Sequence, residues 1–326
     1  MGSLTEESLN TPGAKNSTAP VPGLWITGIG SACPPYCLRS KTVEVFAKQL
    51  YDVEKPGLKK LLQINKTTGI DTRSSAIDYG ADLTNAEHTG PPSISDLDAY
   101  FRSAGVEIAV EACRLALKEW DGPRACLRIA CELCTPMLSR ELAEAEACEA
   151  PARLSIGAAL FGVGAGAFVL CNEYGVPEDG RLEEGGLFRL WEWGSETIPD
   201  TLESMSSHAD ARGYRAVLTR EVPSLTTKAI PPILERLLPT LRGKTGLGGA
   251  DVLDFDWALH PGGQAIIRGA QKLPGLTDDQ LRATKNICKT RGNCSSAAVL
   301  MVLDSLGKWV TGRMLWWLPR SALLCA

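Results

Sequence analysis

No run in this 326-residue chain is apolar for long enough to make a membrane span, and the N-terminus has no basic segment leading into an apolar signal core. Charge of either sign is not in marked excess. The 34 basic and 38 acidic residues leave a formal charge of -4, so nothing favours nucleic acid or an anionic membrane as the bulk partner. The 11 cysteines are odd in number and scattered from Cys33 to Cys325 without a regular framework, which fits a reduced, cytoplasmic setting. Cys131-Glu132-Leu133-Cys134 lacks a second close Cys/His pair, so no metal site is expected and free thiols are the reading. Short-period repeats are also absent. What is present is a 44% hydrophobic composition, enough to bury a large core as two domains or one layered α/β body.

Residues 1–22, rich in Ser, Thr, Asn, Gly and Pro, read as a disordered leader. An apolar run at 24–30 closed by glycine predicts a buried strand, and three-to-four spacing predicts helices at 42–50 and 58–64. The longest helical pattern covers 96–120. A strand at 126–131 follows, then a helix at 138–148 and a helix-turn-strand unit over 156–170. Strands are expected near 187–192, 214–218 and 252–259, with helices at 226–241, 263–271, 277–287 and 295–306. Strands alternating with helices predict a layered α/β fold with a mixed sheet.

Asp256-Trp257-Ala258-Leu259-His260-Pro261-Gly262-Gly263 ends an apolar strand on a histidine and turns it into a helix, where layered α/β proteins expose reactive side chains. Asn293 lies 33 residues later in Gly292-Asn293-Cys294-Ser295-Ser296-Ala297, at a loop-to-helix entry. Its side chain either caps that helix or points into a site. An imidazole and a carboxamide at two helix starts can hold a thioester or enolate oxygen between hydrogen-bond donors, as condensation on coenzyme A esters requires. The small-residue stretch 157–167 lacks the lysine and the acidic partner of nucleotide loops, so it reads as close helix-strand packing, or as a tunnel wall at Phe161. Lys59, Lys60 and Lys66 form either a solvated helix face or a phosphate-binding cluster.

Taken together, Trp257 to Gly263, Gly292 to Ala297 and Gly157 to Ala165 resemble the signature of the type III polyketide synthases, the chalcone and stilbene synthase family of thiolase-fold condensing enzymes. The stretches 64–73 and 130–136 are most similar to the fungal branch, and the likeness covers 24–120 and 123 to about 306. It implies an α/β, thiolase-like layered αβαβα fold, incomplete in its N-terminal half. The implied domains are 23–175 and 176–307, followed by a non-family tail at 308–326. It further implies that His260 and Asn293 are the polar catalytic residues for malonyl-CoA decarboxylation and condensation onto an acyl-CoA starter. Phe161 matches the family's gatekeeper, Ser295 a cavity-lining serine, and Ala216 a second gate left wide enough for longer acyl starters. Lys59 and Lys66 fall where CoA phosphates are bound, with Leu62 replacing the intervening arginine. Coenzyme A thioesters are then substrates, no cofactor is permanently bound, and the assembly is a homodimer.

The sequence departs from the family where it matters most. It runs from Trp120-Asp121-Gly122 straight to Pro123-Arg124-Ala125-Cys126, so a block of roughly sixty to seventy residues that carries the nucleophilic cysteine is missing. No remaining cysteine is a sound substitute, since none is expected to head a helix whose dipole would lower its pKa. Val163 replaces the acidic residue of the Gly-Asp-Gly turn, and the tail has no Gly-Phe-Gly-Pro-Gly loop. Altered splicing or reading of the gene is the expected common cause. The expectation is a polyketide synthase by descent that is impaired as this chain. A non-catalytic acyl-CoA-binding or heterodimerising pseudoenzyme and a thiolase-fold fatty-acid initiation synthase are the alternatives.

Overall fold

The computed structural model describes residues 23–80, 91–118, 125–150, 154–172, 187–210, 213–245, 248–273, 275–308 and 314–317. The expected leader, the Gly122/Pro123 junction and most of the tail lie outside them. Strand β1 (Leu24–Ala32) is followed by β2 (Tyr36–Arg39), then by helices α1 (Ser40–Leu50) and α2 (Pro56–Thr67) and by β3 (Thr72–Ser75). Pro56 opens α2 at a position whose N–H would have no intrahelical partner. Leu58, Leu61, Leu62 and Asn65 form its buried face, and Asn65 is satisfied there by donating to the backbone and hydroxyl oxygens of Ser40.

The long helix expected at 96–120 is in fact three pieces: α3 (Ile94–Tyr100), a five-residue π-helical segment (Phe101–Gly105) and α4 (Val106–Lys118). Ser93 and Asp96 close a capping box at its start. Gly105 comes so close to Leu133 and the Phe101 ring that an added Cβ would meet each at 3.0 Å. Next come β4 (Cys126–Leu133), a 3-10 turn at Thr135–Met137, α5 (Leu138–Glu146), α6 (Gly157–Leu160), β5 (Val163–Asn172) and β6 (Phe188–Leu190). The second half holds the hairpin of β7 (Met205–Asp210) and β8 (Gly213–Leu218), then α7 (Val222–Lys228), α8 (Ile230–Thr245), β9 (Asp256–Leu259), α9 (Gln264–Lys272), α10 (Arg282–Arg291), α11 (Ser295–Gly307) and β10 (Met314–Trp317).

The central sheet has the order β4-β5-β1-β6 and is antiparallel at every described pairing. The mixed sheet expected from alternating elements therefore does not appear in it. The parallel pairing lies elsewhere, between β9 and β10, with Trp317 opposite Leu259. Residues 314–317 of the tail thus run beside the strand that leads to His260.

Glycine lets helices press onto both faces of this sheet. A Cβ at Gly30 of β1 would stand 2.6 Å from the Ala112 carbonyl of α4, and one at Gly166 of β5 would stand 2.5 Å from Leu300 Cβ of α11. Helix α11 is buried on all sides, from Ala297 to Leu306, as befits a central helix packed against the sheet and β9. The layers that result are helix, sheet and helix, with α11 backed in turn by β9 and α10.

Candidate active site

Strand β9 is pinned from its own side. Trp257 Nε1 donates to the Val252 carbonyl at 3.0 Å, and the Leu259 N–H donates to Thr284 Oγ1 of α10 at 3.1 Å. Past Leu259 the chain turns through Pro261, Gly262 and Gly263 into α9, and Gly263 has φ +120, which only glycine adopts at ease. A Cβ on Gly262 would lie 3.2 Å from the His260 ring, so the turn fits the imidazole closely. His260 is buried, at 8% exposure, and its Nδ1 has no hydrogen-bond partner. Burial alone pulls its pKa down to about 4, so the ring is neutral at physiological pH.

Asn293 follows Gly292, whose φ of +76 ends α10. Its N–H donates to the Leu160 carbonyl and its own carbonyl accepts from the Gly162 N–H, both at 2.9 Å, which fixes it against Phe161. The side-chain Oδ1 accepts from the Ser295 N–H at 2.9 Å. The oxygen thus braces the first residue of α11 from one position before its N-cap, Cys294, whose own side chain makes no cap. With the oxygen held by a donor, the NH2 is the end left over, and no described residue accepts from it.

Both side chains line one cavity of about 1000 Å3, together with Phe161, Ser295 and Ala216. Five of the seven residues expected to work together are thus collected in one place. Lys59 and Lys66 are not. They sit exposed on α2, in ion pairs with Glu54 (2.7 Å) and Glu44 (2.8 Å), outside the cavity wall. Ala216 stands on the β7–β8 hairpin, which Arg140 of α5 fastens by a two-pronged contact to Asp210 at 2.8 Å. Ile94, Leu97 and Phe101 add apolar surface to the cavity lining, with α3 packed beside the hairpin, where a Cβ at Gly213 would stand 2.6 Å from Leu97. Val163 is wholly buried at the start of β5, where an acid would be costly.

Three charged residues escaped the sequence reading. Glu132 lines the cavity and accepts from Ser296 Oγ at 2.6 Å, and burial pushes its carboxyl pKa up against the serine hydrogen bonds. Glu141 also lines it and is raised to about 8 by burial, opposed by Arg73. Arg73 is buried and its Nη1 donates to the carbonyls of Ala158 and Phe161, so it carries the backbone at the expected gate. A charged residue between apolar neighbours, as in Cys131-Glu132-Leu133, is the one hint that the sequence offered.

The thiols need one correction. Cys134 and Cys294 do head helical segments, the 3-10 turn that runs into α5 and the helix α11. Cys294 is nevertheless fully buried, and burial pushes its pKa well up. Cys131 lines the cavity beside Cys134, but burial raises its thiol to about 11. Among the described residues no group of three or more His, Cys, Asp or Glu is placed to hold a metal, and no helix is long and apolar enough to cross a membrane.

The family model for chalcone and stilbene synthases, C-terminal domain, matches residues 191–313, which include His260 and Asn293. A type III polyketide synthase of Penicillium soppii, pspB, is 41% identical over 370 aligned positions, covering 89% of this chain and 92% of that protein. The chain belongs to the type III polyketide synthase family. A type III pentaketide synthase from Neurospora crassa superposes with a TM-score of 0.79 at 29% identity, covering 87% of this chain and 90% of that one. CsyB in complex with CoA-SH shares the fold, with a TM-score of 0.78 at 23% identity over 89% of this chain and 94% of that one. The thiolase-like α/β fold of the polyketide synthases is thus the fold found here. The alignment to the Penicillium protein also measures what differs. Since 89% of 326 residues is about 290, about 80 of the 370 aligned positions have no residue in this chain.

Proposed function

We propose that the cavity descends from one that forms polyketides from malonyl-CoA and an acyl-CoA starter, and that this chain retains the decarboxylating half of that chemistry but not acyl transfer. The observation that carries the reading is the pair of donors left facing one cavity, the Asn293 amide and the neutral His260 ring. With no partner at Nδ1, a bare nitrogen is buried there at less cost than an N–H, so the proton belongs on Nε2. The malonyl thioester oxygen accepts from both donors. As the C–C bond to the carboxylate breaks and CO2 leaves, its electron pair becomes the enolate, whose oxygen gains the charge that the two donors meet, and with no acyl acceptor loaded water protonates the enolate carbon to give acetyl-CoA. The same donors serve the oxyanion when the enolate carbon attacks an acyl carbonyl.

Extension needs a thiolate to carry the acyl chain, and the buried thiols here are poorly ionised at neutral pH. Ala216, small and on the cavity wall, leaves room for longer starters. Lys59 and Lys66 are assigned the CoA phosphates, which requires opening their pairs with Glu54 and Glu44. The site is proposed to work in the cytoplasm as a homodimer, with no permanently bound cofactor. A purely binding role, in which the chain holds acyl-CoA or pairs with an intact relative, is favoured by the same missing positions.

To test this, purified protein is given carboxyl-labelled malonyl-CoA, with and without hexanoyl-CoA. Release of labelled CO2 without triketide or tetraketide pyrone is the expected outcome. Repeated pyrone formation refutes the claim of impairment. CoA binding without CO2 release leaves the binding role and overturns the decarboxylating one.

A further inference from the structure

Helix α4 has two apolar faces and only one of them is used. Ile108, Ala112 and Ala116 are buried against the sheet. On the opposite side Val106, Val110 and Leu117 are 46%, 61% and 46% exposed, at the spacing of a second helical stripe. Glu107, Glu111, Arg114 and Lys118 form a charged strip between the two stripes, so the second apolar stripe is a distinct surface left without a cover among the described residues. Beside it runs β4, the outer strand of the sheet, and no described strand pairs with its outer edge. Leu127 and Ile129 of that strand are 39% and 47% exposed. An unprotected edge with apolar side chains next to an uncovered helix is a surface that monomeric proteins avoid.

The position of this surface says what fits it. The open elements are the one before and the one after the Gly122/Pro123 junction, where the sequence places the missing block. The Penicillium relative carries about 80 positions that this chain lacks. These leave room for the roughly sixty to seventy residues expected at the junction, a length that holds several strands and helices. If that segment leaves from the end of α4 and returns to the start of β4, it has both exposed stripes within reach.

We propose that the outer edge of β4 and the outer face of α4 form a docking surface for the homologous segment of an intact type III polyketide synthase, supplied in trans. One strand of the segment extends the sheet at β4, and one apolar helix face covers Val106, Val110 and Leu117. This rests on the family reading but not on the decarboxylation proposed above, because it is read by binding.

The test co-expresses this chain with the pspB segment that faces the gap, fused to a soluble carrier. A one-to-one complex is expected, with amide exchange at Cys126–Leu133 slowed at least about tenfold relative to the chain alone, a change of ~1.4 kcal/mol or more. Val110→Lys and Ile129→Lys, both at exposed sites, are expected to keep the fold and to weaken the complex at least about tenfold. Circular dichroism of each variant separates lost docking from lost folding. Failure to recover a complex overturns the proposal, as does a complex indifferent to both substitutions. It is equally overturned if the chain pairs with its own copy through β4 and the segment does not compete.

Discussion

Replacing Asn293 by Asp separates the two jobs that this side chain holds. The carboxylate keeps an oxygen where Oδ1 now accepts from the Ser295 N–H at 2.9 Å, so the start of α11 stays braced, and a negative charge at a helix N-terminus is favourable. What is lost is the NH2 on the cavity side. Removing one donor from an oxyanion site costs about 2.7–4 kcal/mol, so labelled CO2 release from malonyl-CoA is expected to fall ~100- to 1000-fold. Stability should change by less than about 1 kcal/mol. Asn293→Ala removes both functions and is expected to lose the same rate plus about 1 kcal/mol of stability. The assay pairs a CO2-release rate with a urea melt on each variant. An Asn293→Asp protein that decarboxylates at the parent rate would refute the assignment of the amide, because bracing α11 alone would then be its role.

Three further outcomes can be checked directly. His260 has its folded pKa lowered to about 4 against 6.5, so the unfolded state binds the extra proton, and this histidine lowers stability as pH falls from about 6.5 to about 4, by up to ~3 kcal/mol. His260→Gln should flatten that part of a pH series of urea melts, and an unchanged slope would sink the account. Gly166→Val places its side chain against Leu300 of α11 and is expected to cost about 1–3 kcal/mol or more, seen as a lower thermal midpoint. Lys66→Ala breaks an exposed pair with Glu44, so stability should move by less than about 1 kcal/mol, whereas CoA affinity measured by calorimetry should drop and lose part of its salt dependence.

Elements whose pattern is local were legible in the sequence. Strand β1, helices α1 and α2, the α6–β5 unit and α11 all follow from apolar spacing closed by glycine or proline. The π segment at Phe101–Gly105 was not, because inserting one residue in a turn leaves the three-to-four spacing nearly intact. Strand β7 was missed because it is largely exposed and polar, with no alternation to read. The helix expected at 226–241 breaks at Ala229 into α7 and α8, directly before Ile230-Pro231-Pro232, so the prolines mark a boundary that the apolar spacing alone runs across. Of the residues that line the cavity, those tied to backbone turns were legible: His260 before Gly262-Gly263, Asn293 after Gly292, Phe161 before Gly162. Glu132, Glu141 and Arg73 are legible only through distant partners such as Ser296, the Ala158 carbonyl and the cavity itself.

The contacts that hold the polar pair do not involve the exposed stripe of α4 or the exposed Leu127 and Ile129 of β4. His260 is held by β9 against α10, through Trp257, Leu259 and Thr284. Asn293 is held by Leu160 and Gly162 and braces the start of α11, which packs on the face of the sheet opposite α4. Neither set of contacts passes through Val106, Val110, Leu117 or the outer edge of β4. On the proposal of a block missing between α4 and β4, the ladder of β4, β5 and β1 and the core around α11 keep their contacts without it. On the proposed function, loss of acyl transfer and loss of the donor pair are therefore separable: the held geometry of His260 and Asn293 is expected to keep CO2 release where a missing thiolate removes turnover.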